Sequence, residues 1–464
     1  MSNLAAPKLK RAMQSRHLLM ISLGGAIGTG LFLGSGEVIS QTGAIGAIIA
    51  YALGGIIAYM VMLCLGELAV HMPTSGAFGD YASKYIGPGT GYMVSWMYWL
   101  TWTVALGTEF TAAALLMQEW FPHISMWIWT IIFAVIIFGL NVSSTRFFAE
   151  SEFWLALIKV TAVIAFILLG SLAIFGLVSM QGYESAPLFT NLTSHGWFPE
   201  GFLPILTTML VVNFAFSGTE LIGVAAGETK NPEKDVPRAI HASIWRLLIF
   251  FIGTIVIISA LLPYNATAVT DDHGLSHSPF VSVFSQIGIP YAEDIIRFVI
   301  ITALLSAANS GLYAASRMLW SLSDQKQLPR VFSKLTKSGT PMIAICATML
   351  GALPGLFSEF FAPEAIFVSL LNVAAFTMVI VWISICVSQY NFRKQWYKQG
   401  HSKQELKFAA PLYPLTPILG GIFCVITGLS MVVEDDPLMR ISFFGCLIIM
   451  GLCYLSYYLF HKKN

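Results

Sequence analysis

Charge is what this chain of 464 residues has least of: Asp, Glu, Lys and Arg supply 11% of it, against 56% hydrophobic residues and a mean hydropathy of +0.74. That is too little charge to cover the surfaces of the several soluble domains such a length would ordinarily hold. Chemistry-bearing clusters are scarce as well. The apolar segments contain no paired nucleophile and base and no His-rich metal motif, so an intramembrane enzyme ranks last among readings. The six cysteines (Cys64, Cys346, Cys386, Cys424, Cys446, Cys453) all fall inside apolar segments without metal-ligand spacing, and they read as small buried apolar residues. No cofactor, metal or nucleic-acid partner is expected. There is no low-complexity stretch, and the first apolar segment is too long for a cleavable leader and lacks an A-x-A site.

What the chain does have is long hydrophobic runs. Twelve segments of roughly 20 apolar residues or more, enough to cross ~30 Å of hydrocarbon, lie near 18–43, 44–71, 90–119, 124–144, 152–177, 201–227, 239–262, 280–322, 341–358, 363–392, 411–433 and 439–461. The fold class is therefore an all-α polytopic membrane protein, with the lipid bilayer as its solvent. Of the 25 lysines and arginines, only Arg297 and Arg440 fall in outer loops and Lys159 within a span, if the N-terminus is cytoplasmic. The outer loops are acidic instead: Glu184, Glu200, Asp271, Asp272, Glu293, Asp294, Glu434, Asp435 and Asp436. By the positive-inside rule both termini are expected in the cytoplasm.

The first span carries Gly24-Gly-Ala-Ile-Gly-Thr-Gly30 at its centre. Four glycines in seven residues weaken a helix, so a break is expected at Gly28, Thr29 and Gly30. Bare polar backbone at membrane depth survives only where it lines a cavity or meets a ligand. The restarting half-helix points its amides into the gap and suits a carboxylate. The sixth span, Val212-Asn-Phe-Ala-Phe-Ser-Gly-Thr-Glu-Leu-Ile-Gly223, repeats the device. There, carbonyls around Phe214, Ala215, Phe216 and Ser217 suit an ammonium group. Two interrupted helices, each opening a set of five, are the signature of an inverted-repeat transporter, and an α-amino acid presents the matching pair of charges.

Ionisable residues inside spans mark function by default. Glu109 shares a helical face with Trp102 and Ala105 in the third span, and should meet a cavity or a cation unless it is a structural carboxyl bonded to a neighbouring helix. Lys159 lies about two turns into the fifth span; it is a candidate for exchanging protons during work, or it snorkels to the headgroups. Glu220 is a candidate for substrate or proton binding. Glu67 reads equally as a gate residue or an interfacial one, Glu228 as a solvated helix end, and Arg146, Glu150 and Glu152 as interface charges at the inner surface. Ser306 and Asn309 read first as a small, packing face of the eighth span, with a ligand role second. The loop from Pro73 to Gly91 reads as re-entrant or surface, and His273 and His277 lie in an outer loop without identifiable partners.

These residues carry a family resemblance. Leu23-Gly-Gly-Ala-Ile-Gly-Thr-Gly-Leu31, Leu65-Gly-Glu-Leu68, Phe148-Ala-Glu-Ser-Glu-Phe-Trp154, Phe214-Ala-Phe-Ser-Gly-Thr-Glu-Leu-Ile-Gly223 and Asn231-Pro232 resemble the amino acid transporter branch of the amino acid-polyamine-organocation superfamily, over nearly the whole chain. Phe110-Thr-Ala-Ala113, Gly218 to Glu228 and Leu305 to Tyr313 look especially like S-methylmethionine and arginine permeases. The resemblance implies a LeuT-like fold: two five-helix inverted repeats (18–177 and 201–392, joined by an outer loop at 178–200), then a cytoplasmic loop at 393–410 and two added helices with a short tail at 411–464, all behind an N-terminal tail at 1–17. It also implies that Gly28, Thr29 and Gly30 hold the substrate carboxylate, with Ile27 among the substrate-binding residues, that Phe214, Ala215 and Ser217 receive its amine, and that Lys159 stands where sodium binds in sodium-coupled relatives.

The leading expectation is an inner-membrane importer that moves an amino acid with a proton by alternating access. Lys159, Glu109 and Glu220 are its coupling candidates, and Trp102 and Phe216 its aromatic faces for a cationic side chain such as a sulfonium or guanidinium. S-methylmethionine, arginine and lysine are the expected substrates, though a zwitterionic one fits a protonated Glu109. An exchanger of the same fold is the alternative. A sensor is the alternative from another class, disfavoured by tails too short to dock a partner.

Overall fold

The computed structural model describes residues 9, 11–181, 185–267, 270–271, 274–275, 278–287, 289–353, 363–433 and 436–460. Helices fill almost all of it, as lipid requires, because a helix satisfies its own backbone. In chain order they are α1 (Ser15–Ala26), α2 (Thr29–Phe32), α3 (Gly34–His71), α4 (Ala77–Tyr85), α5 (Pro88–Gln118), α6 (Met126–Ser143), α7 (Thr145–Ile174), α8 (Leu203–Thr207), α9 (Met209–Ala215) and α10 (Leu221–Ala225). They continue as α11 (Pro232–Leu261), α12 (Pro279–Gln286), α13 (Ala292–Asp324), α14 (Met342–Gly351), α15 (Pro363–Lys398), α16 (Leu415–Val433) and α17 (Pro437–Phe460), with a two-residue hairpin of β1 (Thr270–Asp271) on β2 (Gly274–Leu275) before α12. Among the described residues nine helices are long and apolar enough to cross a bilayer.

Their outer faces are what lipid selects. Val135 on α6, Leu168 on α7 and Ile441 and Ile448 on α17 are exposed although wholly apolar. In water such a belt would be an aggregation surface; against acyl chains it costs nothing. The polar residues are inside instead. α13 threads the middle of the bundle, and its buried stretch from Ser306 to Gly311 consists of Ser, Ala, Ala, Asn, Ser and Gly. Small side chains let neighbouring helices approach closely: Gly311 lies against the Trp102 indole of α5.

Several expectations need correction. The eighth apolar run, expected over 280–322, is two helices, α12 and α13, separated around Pro290, where Tyr291 turns left-handed at φ 60°; proline has no amide to continue a helix and disfavours helix in the residue before it. The Pro73–Gly91 loop folds into α4, which buries Phe78 and Tyr81. α7 begins at Thr145, ahead of the expected 152, because Ser144 caps it by accepting the Phe147 amide at 3.1 Å. Of the cysteines, Cys346 is exposed and Cys453 half-buried. His273, His277, Glu184, Asp272, Glu434, Asp435, Lys8, Lys10, Lys462 and Lys463 lie outside the described residues, as does the end of the 341–358 span.

Candidate functional site

The site begins where α1 stops. Ile27 (φ −88°, ψ 86°) and Gly28 (φ −143°, ψ −145°) leave the helical region, and α2 restarts at Thr29. A helix that ends in the core strands its last carbonyls. Lys159, fully buried on α7, takes them up: its Nζ donates to the carbonyls of Gly24, of Ile27 at 2.9 Å and, across on α13, of Ala303 at 3.2 Å. One ammonium thus pins α1 to two other helices. On the other side of the gap, Glu109 of α5 accepts the Thr29 amide at 3.3 Å and the Thr29 hydroxyl at 2.7 Å. Gly28 leaves the space for it, since a Cβ there would lie 2.9 Å from Glu109 Oε1.

The second interruption lies between α9, which ends at Ala215, and α10, which starts at Leu221. Gly218 sits at φ 93°, a conformation open to glycine and strained for other residues. Its amide donates to both oxygens of Glu220, at 3.1 and 2.9 Å, and Tyr98 of α5 donates to the same carboxylate at 3.2 Å. Phe214 carbonyl accepts the Ser217 amide and Phe216 carbonyl accepts the Thr219 hydroxyl, each at 2.9 Å. The two interruptions cross in contact. A Cβ on Gly30 would lie 2.6 Å from Ala215 Cα, and one on Gly218 2.6 Å from the Ala26 nitrogen. Ile27, Gly28, Thr29 and Gly30 are therefore brought together with Glu109, Lys159, Ala215 and Gly218, and Ser217 and Glu220 flank that crossing.

The two aromatic candidates lie in different clusters. Phe216 packs with Phe251 and Tyr51, at centroid distances of 4.8 and 6.4 Å, whereas Trp102 stands against Gly311 and edge-on to Tyr98 at 6.5 Å. A cavity of about 140 Å³ reaches Thr29 from the end of the bundle where Glu37 and Asp436 stand. A wider one of about 630 Å³ opens at the opposite, basic end, beside Arg11, Asp80, Lys84 and Asp324.

Three acids read as interfacial or solvated are wholly buried. Glu152 is not at a surface: because α7 starts early, it lies two turns inside, where Ser306 Oγ and, at 2.8 Å, Asn309 Nδ2 of α13 donate to it. Asn309 and Ser306 thus gain a polar task beyond packing. Glu228 is no solvated helix end; it accepts Arg317 Nε at 3.0 Å, Tyr313 hydroxyl at 2.8 Å and Thr145 hydroxyl at 3.0 Å. Glu67 forms a bidentate pair with buried Arg393 and accepts the Ala410 amide at 2.6 Å. Glu150 alone of these acids behaves as expected, meeting exposed Arg16 at 3.1 Å. The signal for Glu152 was present, since Thr145, Glu152 and Lys159 recur every seven residues and so share one helix stripe. The partners of Glu67 and Glu228 are 326 and 89 residues away, and no local pattern announces them.

An apolar-faced helical bundle interrupted in its core at Ile27–Gly28 and between Ala215 and Leu221, with ionisable side chains serving the exposed backbone there, defines a multi-pass membrane carrier for a small charged solute. Comparison with known proteins narrows that class. Residues 17–464 match the family model "Amino acid permease". The chain is 49% identical to the "Putative histidine permease" of Bacillus subtilis (strain 168), over 99% of this chain and 95% of that one. It is 47% identical to "Amino-acid permease RocC" of the same organism, over 98% and 96%, and 39% identical to "Lysine-specific permease LysP" of Escherichia coli (strain K12), over 97% and 96%. The chain belongs to the amino acid permease family: it is a bacterial multi-pass membrane transporter of amino acids and not an enzyme.

Proposed function

We propose that the chain imports a cationic or cationisable amino acid across the cytoplasmic membrane together with a proton, by alternating access, with both termini in the cytoplasm. In this reading the bundle comprises twelve spans, two five-helix inverted repeats and two added helices, and the discontinuous paths α1–α2 and α8–α10 hold the substrate between them. The substrate carboxylate takes the amides at Thr29 and Gly30, and the amine takes carbonyls from Phe214 to Ser217. Glu109 now fills the Thr29 donors, so the substrate carboxylate competes with it there. Once displaced, Glu109 is free to meet a positive charge, and with Glu220 and the Trp102 ring it suits a guanidinium, ammonium, imidazolium or sulfonium side chain. Relatives named for histidine and lysine point the same way; arginine, lysine and S-methylmethionine remain the first substrates to test.

The observation that carries proton coupling is Lys159 on the Gly24, Ile27 and Ala303 carbonyls. Its charge and three N–H donors hold the end of α1 against α7 and α13, and loss of one proton leaves two donors for three carbonyls and weakens that hold. Uptake of labelled arginine, histidine or S-methylmethionine into proteoliposomes tests the reading. An inward proton gradient should drive accumulation above equilibrium. Movement that depends only on a counter-substrate, with no response to the gradient, would make the protein an exchanger.

A further inference from the structure

We propose that Glu152 is a proton-relay residue, standing between Lys159 and the basic end of the bundle. The inference rests on the proton-coupled reading above and adds a residue to it. Glu152 and Lys159 are seven residues apart on α7, both at 0% exposure, and neither makes a direct ion pair among the described residues. Lys159 is bonded to three backbone carbonyls, and Glu152 to the neutral side chains of Ser306 and Asn309. Gly24 of α1 touches both: its carbonyl accepts from Lys159, and a Cβ on it would strike Glu152 Oε1. A carboxylate needed only as a structural anchor could be replaced, at lower desolvation cost, by an amide that accepts from Asn309 and donates to the Ser306 hydroxyl.

What an amide cannot do is take a proton. Transfer from the Lys159 ammonium to the Glu152 carboxylate gives a neutral amine and a neutral carboxylic acid. The seam between α1, α7 and α13 has zero net charge before and after, so the step buries no new net charge. The acid then releases its proton toward the basic end, and Lys159 regains one from the substrate side. The facing groups are few. α1 presents the Gly24 backbone, α13 presents Ser306 and Asn309, and Lys159 is the charged group that acts on Glu152; Glu109 of α5 acts on Lys159 from the substrate side, and His17 and Arg16 of α1 are engaged with Glu150. One turn toward the basic end, Phe148 stacks on Tyr313 at 4.3 Å and 5°, and beyond them Thr145, Tyr313 and Arg317 meet at Glu228. The stacked pair closes the file in this conformation, and inward opening would part it.

The test separates substrate movement from proton movement in full-length protein reconstituted into liposomes, with labelled L-arginine and, as second probe, L-histidine. Glu152→Gln keeps the shape: its amide oxygen accepts Asn309 Nδ2, and its amide nitrogen donates to Ser306 Oγ, which turns to accept. It should still exchange labelled for unlabelled amino acid at equal pH on both sides, because a loaded carrier need not release its proton, while accumulation driven by a proton gradient falls at least tenfold. Glu152→Asp, which keeps a carboxylate, should recover most of that accumulation. Gradient-driven accumulation by Glu152→Gln at the wild-type level would overturn the relay. Equal loss of exchange and accumulation in both variants, in protein that remains monodisperse and melts cooperatively, would overturn it too, by assigning Glu152 to structure. Failure of wild-type protein to respond to the gradient would instead refute the proton-coupled reading beneath it.

Discussion

Replacing Lys159 by Ala removes a buried ammonium from three carbonyls on two helices. Hydrogen bonds to a charged group contribute about 1.5–3 kcal/mol each, so the bonds together are worth roughly 5–9 kcal/mol. Against that, several kcal/mol of desolvation is regained when the charge is deleted. The net loss should be on the order of 2–4 kcal/mol, readable as a clear fall in melting temperature in detergent. Lys159→Arg separates charge from proton exchange, because a guanidinium stays protonated in proteins. That variant should keep more of the stability and bind substrate, yet fail to accumulate it against a gradient. Both variants are assayed by thermal unfolding followed by gradient-driven uptake of labelled arginine or histidine in proteoliposomes. Wild-type accumulation by either variant would remove Lys159 from the coupling step.

Other consequences follow from the same contacts. Gly218→Ala places a Cβ 2.6 Å from the Ala26 nitrogen in a left-handed backbone; with ~1–2 kcal/mol of backbone strain and a main-chain clash added to it, expression of folded protein and uptake should collapse, and normal uptake would deny the close crossing. Arg393→Met leaves Glu67 buried without its cation and should cost about 3–5 kcal/mol, most of it recovered in the Glu67→Met, Arg393→Met double variant; equal melting of single and double variants would contradict the pairing. In the loop helix α4, burial pushes the Asp80 carboxyl above its ordinary 3.8, against the opposing hydrogen bonds from Thr74, Ser321 and Gln325. The folded state therefore holds a proton the unfolded chain releases. That contribution is fully present below the ordinary carboxylate value and is lost as pH rises through the raised one. Asp80→Asn should flatten the acid side of a melting-temperature profile, and an unchanged profile would dismiss the group.

Local chemistry was the legible part. Glycine density between Gly24 and Gly30 marked where α1 would stop, and hydrophobic runs around Glu109 and Lys159 marked them as buried, because both signals lie within one or two helical turns. Glu152 is hidden for the opposite reason: the aromatic and acidic run from Phe148 to Trp154 looks interfacial, and only the Ser144 cap, by starting α7 early, carries it inward. Glu67 and Glu228 needed their arginines, and those come from helices far along the chain. Phe216 and Trp102 both read as aromatic faces for one ligand, but a helix face seen in sequence does not say which neighbour it meets, and here the neighbours differ.

In the proposed function an amino acid is held where the two interrupted helical paths cross. A cryo-EM map of the full chain in lipid nanodiscs with saturating L-arginine or L-histidine tests it most directly. Ligand density is expected between Gly28–Gly30 and Ala215–Ser217, with the Glu109 carboxylate moved off the Thr29 amide. Density elsewhere in the bundle, with Glu109 still bonded to Thr29, would contradict it.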